Sequence, residues 1–159
     1  MQTIEELRDL LDYNIWANRR AIAALKALPA PPAQALRALT HLLIAERAWL
    51  RRFHAEPDST GFNFWPDNSL ADCEALAEEM AGAYQAFVAG LSEAGLDSTA
   101  TYKNSKGVEY STPYREMLMH VVMHSGYHRG QVAMAIRAEG GEPTNTDYIT
   151  FVRERHSAG

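Results

Sequence analysis

The sequence predicts an all-α fold, an antiparallel four-helix bundle with a long crossover connection, and three observations carry that expectation. Apolar residues recur at helical spacing in four long segments, Pro and Gly break the chain between them, and a long connection precedes the last of the four. Helices of this kind must bury their apolar stripes against one another. At 159 residues the chain has the size of one domain, so residues 1–159 are expected to form a single bundle without disulfides.

Each element has its own signal. Thr3 followed by Glu6 reads as a capping box, and helical periodicity then runs to the Leu28-Pro29 break. After Pro31-Pro32 the segment AQALRALTHLLIAERAWLRRF predicts a second helix ending near His54, and GFNFWPD at 61–67 an aromatic loop, either a lid or a simple cover. Ser69 with Asp72 three residues on starts a third helix, expected to run to about Ala94 and stop at Gly95. Residues 96–111 carry β-branched and aromatic residues on both sides of Lys-Asn-Ser-Lys-Gly, which predicts a crossover containing a small hairpin. Thr112 is expected to cap the fourth helix with Pro113 in its first position, and Gly140-Gly141 to end it. The remaining tail is expected to be mostly irregular, with a short turn near Asp147 to Arg153 packing Tyr148, Ile149 and Phe151 on the bundle.

Composition narrows the function classes. Hydrophobic residues make up 47% of the chain, charged residues 22%, and the formal net charge is −5, which argues against disorder and against a basic nucleic-acid footprint. No apolar run approaches the ~18 residues of a membrane span, and the N-terminus predicts no signal peptide. With a single cysteine, Cys73, a reducing, cytoplasmic compartment is the simpler expectation, and the thiol itself is expected to be buried and inert.

The chemistry concentrates in histidines. In the fourth helix His120, His124 and His128 recur every four residues, a spacing that drifts only about 40° per step around the axis. His124 and His128 adjoin the apolar stripe through Met117, Val121, Val132 and Ala135, and two imidazoles at i, i+4 can converge on one cation. His41 of the second helix is the third candidate ligand, flanked by the small residues Ala38, Ala45 and Ala48, while Leu36, Leu39, Leu43 and Leu50 form the ordinary packing surface. The first helix interrupts its apolar stripe with Asn14 and Asn18. Buried amides without partners cost roughly 1–3 kcal/mol each, so these two are expected either to support the ligands or substrate from a polar pocket or to bond between helices. A lone buried histidine is more often a hydrogen-bonded core residue; the pair plus a third on another core stripe is what shifts the balance toward a metal.

These residues bring a family into view. HVVMHSGYHRGQ at 120–131, YNIWAN at 13–18 and LTHLLIAERAWL at 39–50 resemble the signatures of the DinB/YfiT-like proteins, a superfamily of helical bundles regarded as metalloenzymes, and the likeness spans nearly the whole chain. The resemblance implies that His41, His124 and His128 are the metal ligands, that the metal is a divalent ion such as zinc or nickel, and that the chain forms a homodimer. It also implies a low-molecular-weight thiol as partner, as in relatives that are thiol-dependent S-transferases or isomerases.

Three imidazoles leave a divalent ion open positions, the arrangement of catalytic rather than structural sites. A small-molecule substrate and thiol S-transfer are therefore the leading expectation. The alternatives are a metal-dependent hydrolase, for which Glu46 lies about 140° from His41 around the second helix, and a stress-associated protein that binds metal without turnover.

Overall fold

The computed structural model describes residues 1–57 and 62–158, so Gly61 of the aromatic loop lies outside the described residues. Four helices build the bundle: α1 (Ile4–Lys26), α2 (Ala33–Phe53), α3 (Leu70–Ala89) and α4 (Tyr114–Ala138). The capping boxes of Thr3 with Glu6 and of Ser69 with Asp72 both form, each satisfying backbone donors that a helix start would otherwise leave bare. Between α3 and α4 lie a 3₁₀ turn (Ala94–Asp97) and an antiparallel hairpin of β1 (Thr99–Lys103) and β2 (Glu109–Pro113), in which Tyr102 faces Tyr110. Asn104 organises its turn, its side-chain oxygen accepting from the amides of Lys106 and Val108, and Gly107 supplies the positive φ of 77°.

α2 is the axis of the structure. From Ala38 to Glu46 every one of its residues is buried, because α3 and α4 pack on it and the hairpin covers it through an edge-on contact of Trp49 with Tyr102. Around it Leu7 and Leu25 of α1, Leu39, Leu42 and Leu43 of α2, and Met117 and Leu118 of α4 are fully enclosed. Cys73 is buried beside Thr40 Oγ1 at 3.2 Å, and burial pushes its thiol upward, which fits an inert core residue. No helix among the described residues is long and apolar enough to cross a membrane.

Three expectations need correction. α3 ends at Ala89 with Gly90 as its C-cap, not near Ala94, because the chain must turn there to bring Leu96 into the core. Pro113 does not open α4 behind a Thr112 cap. It closes β2 opposite Thr99 with extended backbone and is itself the residue before the helix, while the Tyr114 amide bonds to Ser98 O. The tail is more ordered than expected, since a fifth helix, α5 (Tyr148–Ser157), lies against α1. Glu154 accepts from Trp16 Nε1 and pairs with Arg20, Arg155 pairs with Asp9, and Tyr13 meets the rings of Tyr148 and Phe151. Ile149 points away from the bundle, 50% exposed.

Candidate metal centre

α2 and α4 pack along their length, and their facing residues bring His41, His124 and His128 together. One nitrogen from each imidazole lies within 4.8 Å of the other two. The Nε2 atoms of His124 and His128 are 3.2 Å apart, a convergence that the i, i+4 spacing allows. Zinc–imidazole bonds of about 2.0–2.1 Å in tetrahedral geometry place ligand nitrogens roughly 3.3 Å apart, so this pair already stands at ligand spacing.

The outer edges of the rings are held. His41 Nδ1 is 2.9 Å from the carbonyl of Phe64, and since a carbonyl only accepts, Nδ1 carries the proton and Nε2 keeps its lone pair. His128 Nδ1 is 2.7 Å from Gln131 Oε1, which selects the same tautomer. Fixing the far nitrogen in this way is how proteins aim an imidazole at a metal. Trp65, next in the aromatic loop, stacks on His41 with centroids 3.8 Å apart and planes 7° apart.

The electrostatics favour neutral rings. Burial, reinforced by the charges of His128, His120 and His41, lowers the pKa of His124 to about 4, and burial likewise lowers that of His41 against the opposing pull of its Phe64 hydrogen bond. Neutral imidazole is the ligating form, so the donor set fits a divalent cation of borderline softness. His120 stands apart from the converging nitrogens, against the Trp49 ring at 4.7 Å and 5.4 Å from the His124 ring.

Asn14 and Asn18 lie in a second, buried polar cluster joining α1, α2 and α4. Their amide groups donate to Glu46 Oε1 at 2.8 and 2.9 Å, and Ser125 Oγ donates to the same oxygen at 2.7 Å. Their carbonyl oxygens accept from Arg129 Nη1 at 2.6 and 2.8 Å. Each carboxamide therefore links the buried carboxylate to the buried guanidinium. Tyr84 donates its hydroxyl to the Glu46 carbonyl, and burial together with the Glu46 charge holds that phenol well above its ordinary range.

Sequence reasoning left Glu46 aside as turned too far from His41, and it did not single out Trp65, Ser125, Arg129 or Gln131. Angular distance misleads on α2 because every residue from Ala38 to Glu46 is buried, so 140° away from one polar site is not solvent there. Ser125 and Arg129 each directly follow a histidine of the triad, a local signal that only the three-dimensional partners make legible.

The sequence pattern of the DinB family matches residues 1–156. The chain belongs to the DinB family. It is similar to Protein DinB of Bacillus subtilis (strain 168), 26% identical over 169 aligned positions that cover 90% of this chain and 91% of the relative. The crystal structure of a DinB-like protein from Bacillus cereus ATCC 10987 shares the fold, with a TM-score of 0.61 over 91% of this chain and 97% of that one at 19% identity. The His-Arg-Gly-Gln run of α4 divides its tasks in this chain: His128 joins the triad, Arg129 binds the asparagines and Gln131 holds His128.

Replacing Glu46 by alanine removes the acceptor for Asn14, Asn18 and Ser125 and leaves Arg129 without a compensating anion. The expected loss is about 3–5 kcal/mol of stability, read by urea denaturation, with Glu46→Gln costing less. A neutral result would show that the cluster is not a stabilising unit.

The lowered His124 pKa makes metal-free stability depend on pH. The unfolded chain takes up the proton near the ordinary value of 6.5 and the folded chain only at about 4. The contribution is complete above 6.5 and lost as pH falls through this window. The thermal midpoint of metal-free protein should therefore fall more steeply from pH 6.5 to 4 than that of His124→Gln; parallel curves would contradict the assignment.

Proposed function

We propose that His41, His124 and His128 hold a divalent metal ion, zinc or nickel, and that the chain is an enzyme transferring the sulfur of a low-molecular-weight thiol to an electrophilic substrate. The observation that carries this reading is the convergence of three imidazoles, with no carboxylate joining the cluster among the described residues. A divalent ion with three imidazole ligands and open positions supplies Lewis acidity that lowers the pKa of a thiol or water placed there.

The chain's own residues prepare that chemistry. The Phe64 carbonyl and Gln131 keep the protons of His41 and His128 on the far side of each ring, so both present lone pairs inward. Trp65 covers one face of His41 and restricts water on that side. In the transfer itself the thiol gives up its proton, a sulfur–carbon bond forms, and the substrate's leaving group departs with its electron pair. Glu46 is the acid closest in sequence to His41, and its Oε1 is already committed to three donors, which favours thiol transfer over hydrolysis through a carboxylate base. A homodimer is part of the proposal, supported by the family and by Met123 and Tyr127, which lie one turn apart on α4 and are 67% and 68% exposed.

Three measurements test this. Calorimetric titration with zinc or nickel should show tight binding lost in each of His41→Ala, His124→Ala and His128→Ala, with His120→Ala milder. Cobalt-loaded protein should then change its visible spectrum and release a proton on adding cysteine, glutathione, bacillithiol or mycothiol below the free thiol pKa of about 8.5. Loss of metal binding in His120→Ala alone would overturn the ligand set, and spectral silence with every thiol, alongside metal-dependent ester cleavage, would replace the transferase by a hydrolase. Light scattering at micromolar concentration should give twice the chain mass; a monomeric mass would remove the dimer.

A further inference from the structure

The groove between α2 and α4 does not end at the triad. Gln34, Arg37 and Ala38 lie on the side of α2 that carries His41, one to two turns toward its start, and Gln131 and Met134 continue the His124–His128 side of α4 toward its end. Together with Trp65 these residues line a cleft of about 370 Å³, within the range of small-molecule sites. Two of its walls are also the groups that contact the triad: Trp65 stacks on His41 and Gln131 binds His128.

The walls have a definite chemistry. The Arg37 guanidinium lies over the Trp65 ring, 5.1 Å from its centroid, and no described residue engages its N–H donors in a hydrogen bond or ion pair. Guanidinium over an aromatic face keeps its in-plane donors available for an anion, in the fork geometry that fits a carboxylate or phosphate. Gln131 Oε1 accepts from His128, which leaves its amide group to donate, and Gln34 adds a second amide. Trp65 and Met134 provide apolar surface, 42% and 69% exposed. Arg37 precedes His41 by four residues, about 6 Å along the helix axis.

We infer that this cleft binds the substrate of the triad and selects a small organic anion. The anionic group pairs with Arg37, the apolar body lies against Trp65 and Met134, and the reacting atom is delivered about one helical turn away at His41. The inference deepens the proposed function and rests on it for the reacting end, whereas the anion subsite is built from residues outside the triad.

The test uses the full chain without metal, so that it reads the subsite separately from the ion. Benzoate, phenylphosphonate and the neutral benzamide are titrated, following tryptophan fluorescence and ligand saturation-transfer signals. At least one anion should bind about tenfold or more tighter than benzamide, which corresponds to one charge-assisted contact. Which anion binds separates a carboxylate from a phosphate subsite. Arg37→Gln should abolish the preference, Arg37→Lys should retain part of it, and Trp65→Leu should weaken the anion and benzamide together. Equal binding of anion and amide, no binding of any of the three, or a preference that survives Arg37→Gln overturns the inference. Cobalt titration of the same samples keeps the two claims distinguishable: failure of the triad to take cobalt sinks the proposed function while the anion preference is still read in the metal-free chain.

Discussion

The constraint on which this structure depends is the Glu46 carboxylate, placed 4% exposed at the end of a stretch of α2, Ala38 to Glu46, that is buried on every face. A carboxylate there is sustainable only if donors surround it. They come from Asn14 and Asn18 on α1 and Ser125 on α4, and Arg129 completes the cluster by binding the far ends of the same asparagines. Because Ser125 follows His124 and Arg129 follows His128, the register of α4 that satisfies Glu46 is also the register that turns both imidazoles toward His41.

The bundle thus has two polar layers inside an apolar body, with different physics. The Glu46 layer is largely self-satisfied: Glu46 Oε1 accepts from three donors and Arg129 Nη1 donates to both asparagines, while Arg129 Nε is buried with no partner among the described residues. The histidine layer is left open on its inner side, with backbone and amide acceptors taking the outer protons of His41 and His128 while burial disfavours the cationic forms of His41 and His124. Neutral rings presenting lone pairs to a common point are suited to a cation, and the Arg37–Trp65 cleft beside them is suited to an anion.

Much of this was legible in the sequence where one residue type performs one local task. The capping boxes, the hairpin around Lys-Asn-Ser-Lys-Gly and the i, i+4 histidines depend on neighbours in the chain, and the structure shows each of them. The tail was legible only in part: the packing of Tyr148 and Phe151 on the bundle was expected, but the full length of α5 depends on long-range partners, Glu154 with Trp16 and Arg20 and Arg155 with Asp9. Glu46 escaped for a related reason: helical periodicity assigns one buried face, and α2 has no exposed face between Ala38 and Glu46. Asn14 and Asn18 were recognisable as polar residues in an apolar stripe, but their partners lie on two other helices, and no pattern within α1 names them.

X-ray absorption at the metal edge of zinc-loaded protein tests the central claim most directly, because it counts the ligands of the ion. Three imidazole nitrogens are expected at about 2.0–2.1 Å, with the remaining positions filled by exchangeable light atoms. Fewer than three imidazoles, a cysteine sulfur, or a fourth protein ligand closing the site would contradict it.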